Sequence, residues 1–302
     1  MRLDIDGRNC ELESGRSILD AVKKEGLDSI MLSDRPLAAQ IGGEVFNLRF
    51  TPKKDTQIHL LRYGEDMGRR VYERTLQFLF ILAMRKEFPR ARVCVRYSLG
   101  PGLFITVDGM EEPFNEEAAL KVETEMRRLV RLKLPLERRR ISIKEALSFY
   151  EQDGQADKAK LLKWRRFSYF DVYQIDGYMD YFYGEMAPDT SYADVFRVKY
   201  IHDGAVVLLM PRSDAPDVPS DYVDLPKLHA VFHQSDEWGK LMECATVNDL
   251  NTHIQNGTIR ELVRINEALH DRGYADIADK IVQKGAKAVL VAGLLRKDYL
   301  CP

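Results

Sequence analysis

The stretch GRRVYERTLQFLFILAMRKEFP, residues 68–89, decides how the surrounding chain is organised. Its apolar side chains recur every three or four positions, which places them on one face of a helix. The members of this face are Val71, Thr75, Phe78, Leu79 and Leu82. Pro89 ends the helix because proline lacks the backbone N–H that a helix needs. The stretch therefore predicts a long helix that buries one side and opens a second domain.

Residues 1–61, upstream of this helix, predict a small α+β unit. The Asp6-Gly7 pair supplies turn chemistry for a hairpin, and Ser17 is a good N-cap for a short helix that ends at Gly26. Strands on both sides of a Gly-Gly pair and a closing strand, TQIHLL, complete the sheet.

Downstream, residues 68–212 predict a second α+β domain. A strand pair surrounds Gly100-Pro101-Gly102, a surface helix follows Asn115, and two helices are separated near Gly154. The run RRLVRLKLPLERRR, residues 127–140, predicts a solvated helix face and turn, although it could also contact phosphate. The aromatic-rich residues 167–211 predict antiparallel sheet. The Asp/Pro/Ser-rich residues 211–226 mark a linker, so residues 213–287 are assigned to a linker and helical segment.

Composition excludes some classes of protein. The chain has 302 residues and a formal net charge of −2, so no global basic field favours nucleic acid, and an RNA contact requires a local patch. Four cysteines without CxxC spacing predict reduced structural thiols in a cytoplasm. The longest apolar run, Leu76 to Met84, is about half of the ~20 residues that a membrane span needs, so no membrane association is expected.

Several phrases resemble a known family. LPLERRRISIKEALSFYEQDG (134–154) and DYFYGEMAPDTSY (180–192) resemble the second additional domain of threonyl-tRNA synthetases, and residues 1–61 resemble their TGS domain. The order of the segments resembles the bacterial nucleoside (uridine) kinases, in which these two domains precede a helical linker and a P-loop kinase domain. The resemblance implies an α+β fold: a β-grasp TGS domain, an editing-like domain, a helical linker, and in residues 288–302 the first strand of a P-loop α/β domain with an aberrant tail.

The resemblance also locates a degenerate editing pocket. The synthetases carry an HxxxH pair and a CxxxH pair, and the corresponding positions in this chain are Arg74, Phe78, Phe182 and Met186. These side chains cannot bind a metal or act as a base as histidine and cysteine do, so editing hydrolysis is disfavoured. No catalytic residue and no metal site are predicted.

Two further groups of residues leave alternatives open. Tyr173, Asp180 and Tyr183 form a candidate ligand pocket for a base or nucleoside, and the alternative is an aromatic sheet core. His229 and His233 have i, i+4 spacing and His202 is a third histidine, but surface histidines are favoured over a metal cluster.

The segment KAVLVAGLLRKDYLCP, residues 287–302, resembles the entry to the kinase P-loop as far as Gly293, which is the candidate remnant of a nucleotide-binding loop. The family reads roughly AGPSSSGKTT at this point, and it uses ATP and Mg²⁺. A one-base shift in plausible codons for residues 294–302 yields Ser-Ser-Gly-Lys-Thr-Thr-Ser-Ala, so truncation by a frameshift is expected. The alternative is a stand-alone protein with an unrelated tail.

The expected function follows from this resemblance. The chain is predicted to be the N-terminal regulatory or binding region of a uridine kinase-like protein, without kinase activity or a bound cofactor of its own. The alternative is a stand-alone RNA- or nucleotide-binding module, and an aminoacyl-tRNA editing hydrolase is a third possibility. RNA or a nucleotide is the expected partner, and an exposed strand over residues 288–292 predicts self-association.

Overall fold

The computed structural model describes residues 1–202 and 204–290. It is a mixed α+β fold with several sheets. The chain divides into two compact units: residues 1–149 with 167–229, and residues 150–166 with the chain from residue 230 onward. The predicted domain boundaries, at residues 61, 68, 212 and 287, stay predictions.

A five-stranded mixed sheet begins the first unit. Its strands are β1 (Arg2–Ile5), β2 (Arg8–Glu11), β3 (Ala38–Ile41), β4 (Glu44–Phe46) and β5 (Thr56–Leu61). The order is β2-β1-β5-β3-β4, with β1 and β5 parallel and the other pairs antiparallel. Helix α1 (Ile18–Lys24) packs its apolar face on this sheet. Ser17 caps the helix as predicted, with Asp20 completing a capping box. The arrangement is compatible with a β-grasp, and its assignment as a TGS domain stays a prediction.

The rest of the chain alternates helices and antiparallel strands. Its elements are α2 (Asp66–Glu87), β6 (Arg92–Leu99), β7 (Gly102–Asp108), α3 (Glu116–Leu132), β8 (Glu137–Ser142), α4 (Ile143–Gln152), α5 (Ala156–Leu162), β9 (Tyr169–Ile175), β10 (Tyr178–Asp180), β11 (Arg197–His202), β12 (Ala205–Leu209), β13 (Pro211–Arg212), β14 (Ala215–Pro219), α6 (Pro226–Leu241), α7 (Val247–Asn256) and α8 (Ile259–Lys284). The predicted long helix, the strand pair and the helix after Asn115 are all confirmed.

The core of the first unit forms around α2. This helix and α3 pack on one face of a four-stranded antiparallel sheet of order β11-β12-β7-β6. Alternation along β7 sends Leu103, Ile105 and Val107 toward the helices and Phe104 toward a smaller cluster on the opposite face. The predicted face of α2 is buried, and Phe78 and Leu79 are fully inaccessible to solvent.

A separate three-stranded antiparallel sheet has the order β10-β9-β8. Strand β8 corrects the prediction that residues 127–140 form only a helix face and a turn. Lys133 takes the left-handed conformation and ends α3, and the following residues from Glu137 pair with β9 over six positions. The arginines of β8 are then held by partners on β9, which the composition of the run does not reveal.

The predicted linker at residues 211–226 also contains structure. Strands β13 and β14 form a small hairpin, and Asp217 accepts a hydrogen bond of 3.0 Å from the backbone N–H of Ser33. This contact spans 184 residues of sequence, so local composition could not indicate it.

The second unit is helical in its described residues. Thr246 and Asp249 form a capping box at α7, and Gly257 ends that helix in the left-handed conformation. The indole N–H of Trp164 donates to Asn248 at 2.9 Å. The sequence predicts residues 249–285 to be helical, and helices α7 and α8 confirm this.

The predicted strand over residues 288–292 is not formed in its described part, residues 288–290. A strand requires a hydrogen-bonded neighbour, and Val289 and Leu290 are exposed instead. The remainder of that prediction, including Gly293, lies outside the described residues. Among the residues that the structure describes, no helix is long and apolar enough to cross a membrane.

Candidate functional site

A cleft of about 960 Å³ opens in the first unit, and it is called here the arginine cleft. It is formed by residues 44–50, the first turns of α2, the start of β8 and residues 184–185. Its lining residues are Glu44, Val45, Phe46, Asn47, Arg49, Phe50, Met67, Arg70, Arg74, Leu136, Glu137, Arg138, Arg139, Gly184 and Glu185. Five arginines and three glutamates give the lining a formal charge of +2, in a chain whose net charge is −2.

Helix α2 presents Arg70 and Arg74 to the cleft because residues four apart share a helix face. The Nε of half-buried Arg74 donates to the carbonyl oxygen of Glu185 at 2.9 Å. Its two Nη atoms make no hydrogen bond or ion pair with any described residue, and neither does the side chain of Arg70. Burial lowers the pKa of Arg74, although a guanidinium stays charged near neutral pH. The cleft therefore holds two cations with free donors.

Gly184 allows the Arg74 guanidinium to lie where it does. A Cβ at residue 184 would lie 3.0 Å from Cζ of Arg74 and 3.1 Å from its Nη2, so a larger residue would displace the guanidinium. Gly184 also has φ of +106°, a backbone conformation that favours glycine.

The other arginines of the cleft are engaged by the protein. Arg138 binds Asp171 at 3.0 Å and also pairs with Glu185. Arg139 donates to the side-chain oxygen of Gln174 at 2.6 Å. Arg49 donates to the carbonyl oxygen of Pro188 at 3.0 Å. These contacts fix the walls of the cleft and leave Arg70 and Arg74 as its unpaired cations among the described residues.

An aromatic pair lines the same cleft. The rings of Phe46 and Phe50 have centroids 4.5 Å apart and an interplanar angle of 36°. Phe50 is 38% exposed. Exposed aromatic rings beside arginines are the combination that binds nucleic-acid bases and phosphates together.

The structure brings the four degenerate editing positions onto two neighbouring segments, α2 and residues 182–187. The rings of Phe78 and Phe182 have centroids 5.4 Å apart, and the Thr75 hydroxyl accepts from the Ala187 N–H at 3.0 Å. Phe78 and Met186 are buried in the apolar core, whereas Arg74 lines the cleft. Within the described residues, no group of three His, Cys, Asp or Glu side chains is placed to hold a metal ion.

Tyr173, Asp180 and Tyr183 do not line the arginine cleft, and their role as a ligand pocket stays a prediction. Tyr173 is buried, and its hydroxyl donates to Glu185 Oε2 at 3.0 Å, so it supports the cleft wall from behind. Burial raises the pKa of Tyr173. Asp180 is buried and accepts from the Tyr181 N–H at 2.8 Å, whereas Tyr183 is 75% exposed.

Two of the three histidines considered as metal ligands lie near each other. The rings of His202 and His229 have centroids 5.6 Å apart, and His229 Nδ1 is 2.7 Å from the Tyr97 hydroxyl. Phe104 packs against His229, with centroids 4.8 Å apart. His233 belongs to the other compact unit.

The sequence interpretation missed most of the cleft. The sequence predicts Phe46, Arg49 and Phe50 only as part of a strand after the Gly-Gly pair, and the interpretation does not single out Arg70. The i, i+4 spacing of Arg70 and Arg74 was a readable signal, because it predicts two cations on one face of a helix. Nothing in the sequence signals that residues 44–50 face this helix.

Comparisons with known proteins identify relatives among the threonine–tRNA ligases. No family model matches the chain. The chain is similar to the threonine–tRNA ligase of Clostridium kluyveri, with 25% identity over 194 residues, which are 64% of this chain and 30% of that relative. The threonine–tRNA ligases of Carboxydothermus hydrogenoformans and Acetivibrio thermocellus are 27% and 28% identical over 175 and 160 residues, which are 55% and 52% of this chain and 26% and 24% of the relatives. The chain therefore spans less than a third of the length of these relatives, and its homology is to threonyl-tRNA synthetases.

Proposed function

We propose that the chain is a non-hydrolytic RNA-binding module that holds an RNA end in the arginine cleft. The observation that carries this proposal is the pairing of two unpartnered arginines, Arg70 and Arg74, with the ring pair of Phe46 and Phe50 in a single cleft. Arginine donors bind phosphate oxygens, and an exposed ring stacks on a base with about 1–3 kcal/mol per base.

The relatives direct the choice of RNA. Their names describe ligation of threonine to tRNA, so we take the acceptor end of tRNA as the first RNA to test. Residues 1–61 are then a TGS domain that supplies one wall of the cleft, and the protein acts in the cytoplasm.

An editing hydrolase is the second candidate, and the similarity to threonine–tRNA ligases favours it. The side chains oppose it, because Phe78, Phe182 and Met186 offer no base or metal ligand at the positions equated with the editing pairs. Incubation of threonyl- and seryl-tRNA with the protein separates the two candidates. We expect no increase in deacylation over buffer, and an increase that a Glu185→Gln change removes would favour the hydrolase.

The nucleoside-kinase interpretation has no support from these relatives. Its nucleotide-binding loop was assigned to Gly293 and the residues around it, which lie outside the described residues. It stays a prediction that this chain does not phosphorylate uridine with ATP and Mg²⁺, and a uridine phosphorylation assay with the pure protein tests it.

The binding proposal is tested by titrating a labelled tRNA acceptor-stem RNA with a single-stranded 3′ end. The variants are Phe46→Ala with Phe50→Ala, and Arg70→Gln with Arg74→Gln. Arg90→Gln is the matched control, because Arg90 is 81% exposed and does not line the cleft.

We expect each cleft variant to weaken binding at least tenfold and the control to bind as the unmodified protein does, since each variant removes contacts of about 1–3 kcal/mol. Equal binding by all four proteins would exclude the cleft as the RNA site. Absence of binding to any RNA would exclude the function itself.

A further inference from the structure

We propose that Arg70 and Arg74 form a site for a terminal phosphomonoester, so that the cleft prefers ligands with a phosphorylated end. This inference rests on the proposed function and adds the chemical group that is recognised. The group occurs on a phosphorylated RNA end and on a free nucleoside monophosphate.

Two positively charged side chains lie next to each other on α2. Arg70 and Arg74 lie one turn apart on the same face of α2, where neighbouring Cβ atoms are about 6 Å apart. Arg74 is half-buried and Arg70 is exposed. Glu73 attracts both guanidinium groups and Glu185 attracts that of Arg74, but no described carboxylate forms an ion pair with either of them. Removing the Arg74 guanidinium from water and placing it beside a second positive charge both disfavour folding. An anion that binds both guanidinium groups offsets the loss of hydration and the repulsion between the two charges.

The carboxylates near Arg70 and Arg74 form no ion pair with either guanidinium. Glu185 is held by Arg138 and by the Tyr173 hydroxyl. Glu73, on the same helix, accepts from the Gln77 side chain at 3.0 Å and forms no ion pair with either arginine. Burial raises the pKa of Glu73, and attraction to Arg74 and Arg70 opposes that rise. Glu44 and Glu137 also line the cleft without an ion pair to these arginines.

The charge and the oxygen atoms of a phosphomonoester match the charge and the N–H donors of the two arginines. A phosphomonoester carries close to two negative charges at pH 7 and three terminal oxygens, whereas a phosphodiester in the chain carries one charge. Two guanidinium groups present parallel N–H pairs that suit bidentate binding of such a group.

The experiment compares four ligands on the 302-residue chain: a short single-stranded RNA with a 3′-phosphate, the same RNA with a 3′-hydroxyl, the same RNA with a 5′-phosphate, and uridine monophosphate. Inorganic phosphate serves as a competitor. Each is titrated at pH 7.5 and pH 5.5, because the second ionisation of a phosphomonoester lies near pH 6. The variants are Arg74→Gln, Arg70→Gln and Arg74→Lys, with Arg90→Gln as the control.

We expect one or both phosphorylated RNAs to bind about tenfold more tightly than the hydroxyl RNA at pH 7.5, a difference typical of charge-assisted hydrogen bonds. The difference should shrink at pH 5.5 and disappear in Arg74→Gln and Arg70→Gln. Arg74→Lys should retain only part of this difference in affinity, because lysine keeps the positive charge but lacks the two parallel N–H donors of a guanidinium. Tighter binding of one phosphorylated RNA than of the hydroxyl RNA identifies the ligand as an RNA with that phosphorylated end. Tight binding of uridine monophosphate alone identifies the ligand as a free nucleotide.

Melting temperatures provide a separate readout. Arg70→Gln removes the second positive charge beside half-buried Arg74 and breaks no hydrogen bond or ion pair with a described residue, so the variant should melt at the same temperature as the unmodified protein or higher, which a structurally required arginine would not allow. Equal affinity for all RNA ends would overturn the phosphomonoester site and leave the RNA-binding function standing. Failure to bind any RNA while uridine monophosphate binds would overturn the proposed function and leave the phosphate site standing.

Discussion

Arg74 is held by one nitrogen of its guanidinium. Its Nε donates to the Glu185 carbonyl oxygen, and the Nη atoms point to no described partner. By contrast, buried Arg35 uses its side chain fully: it binds both carboxylate oxygens of Asp194, at 2.8 and 3.0 Å, and several backbone carbonyls. Arg35 therefore stabilises the fold, whereas the Nη donors of Arg74 remain available to a ligand.

Arg35 provides a prediction about stability. Its partners lie in residues 29–30 and 191–194, so it fastens a loop of the N-terminal region to the segment before β11. Arg35→Ala leaves the Asp194 carboxylate and these carbonyls without their donor, and we expect a loss of about 3 kcal/mol in the free energy of unfolding. Urea denaturation measures it. Arg16→Ala, at an exposed arginine 3.7 Å from Glu13, should change stability by less than about 0.5 kcal/mol, and a similar loss in both variants would contradict this account.

His59 provides a prediction about pH. Its Nε2 lies 2.7 Å from Glu65 and its Nδ1 2.9 Å from Asp6. Hydrogen bonds to Glu65 and to Asp6 raise the pKa of His59. Because the folded protein favours the protonated ring, this stabilisation is complete below about pH 6.5 and is lost as the pH rises through the raised pKa.

The test compares the unmodified protein with His59→Gln by thermal unfolding at pH 5.5 and pH 8.5. The advantage of histidine over glutamine should be larger at pH 5.5. Asp6 does not interfere in this range. Burial tends to raise its pKa, but hydrogen bonds from the Leu60 N–H, His59 and Arg62 outweigh that effect and lower it, so its contribution is lost only in more acidic solution. An equal advantage at both pH values would show that the ring acts without its charge.

At the scale of elements, α2 both fills the core and shapes the cleft. One face carries the buried apolar residues, and another carries Arg70 and Arg74. Gly68 at its start is required by close packing, because a Cβ there would lie 1.9 Å from the carbonyl oxygen of Arg62. Close packing therefore fixes the start of α2, the helix that carries both arginines, against the backbone of Arg62.

Hydrogen exchange should distinguish α2 from α8. Eleven of the 22 residues of α2 are buried, whereas within the described chain α8 buries only Leu262 of its 26 residues. Helical hydrogen bonds exchange slowly when tertiary packing holds them, so amides in the middle of α2 should exchange orders of magnitude more slowly than those of α8. Mass spectrometry of peptides from both helices measures this, and equal protection would mean that α8 is covered in solution.

Most elements could be predicted from the sequence because their signals are local. The turn at Asp6-Gly7, the cap at Ser17 and the periodicity from Val71 onward each specify an element within a few residues. Strand β8 was missed because three consecutive arginines resemble a solvated face, and they reside in a sheet only because Asp171 and Gln174 on β9 bind them. Pairing between distant strands is not encoded locally.

At the scale of the whole molecule, the net charge of −2 conceals a basic cleft. The sequence predicts that any RNA contact would be a local patch, and the run from Arg127 to Arg140 is the stretch considered for phosphate contact, although it is favoured as a solvated helix face and turn. Two arginines of that run, Arg138 and Arg139, line the cleft together with their neighbours Leu136 and Glu137. The other contributors come from residues 44–74, and only the folded chain brings them together.

The dependence of RNA affinity on salt tests this local patch. For single-stranded nucleic acid, the slope of log affinity against log salt is about −0.7 per neutralised phosphate. Arg74→Gln should make the slope shallower by about 0.7, and Arg90→Gln should leave it unchanged. A slope near zero in the unmodified protein would show that arginine–phosphate contacts do not drive binding.

The composition of the cleft from distant segments has a consequence for synthesis on the ribosome. Phe46 and Gly184 are separated by nearly 140 residues, and translation at about 5–20 residues per second takes roughly 7 to 28 s to cover that distance. A nascent chain that has already completed its N-terminal sheet therefore displays Phe46 and Phe50 without the opposite wall. Under the proposed function, the growing protein would lack a complete RNA site during this interval, and the site would be assembled only after residue 185 has been added to the chain.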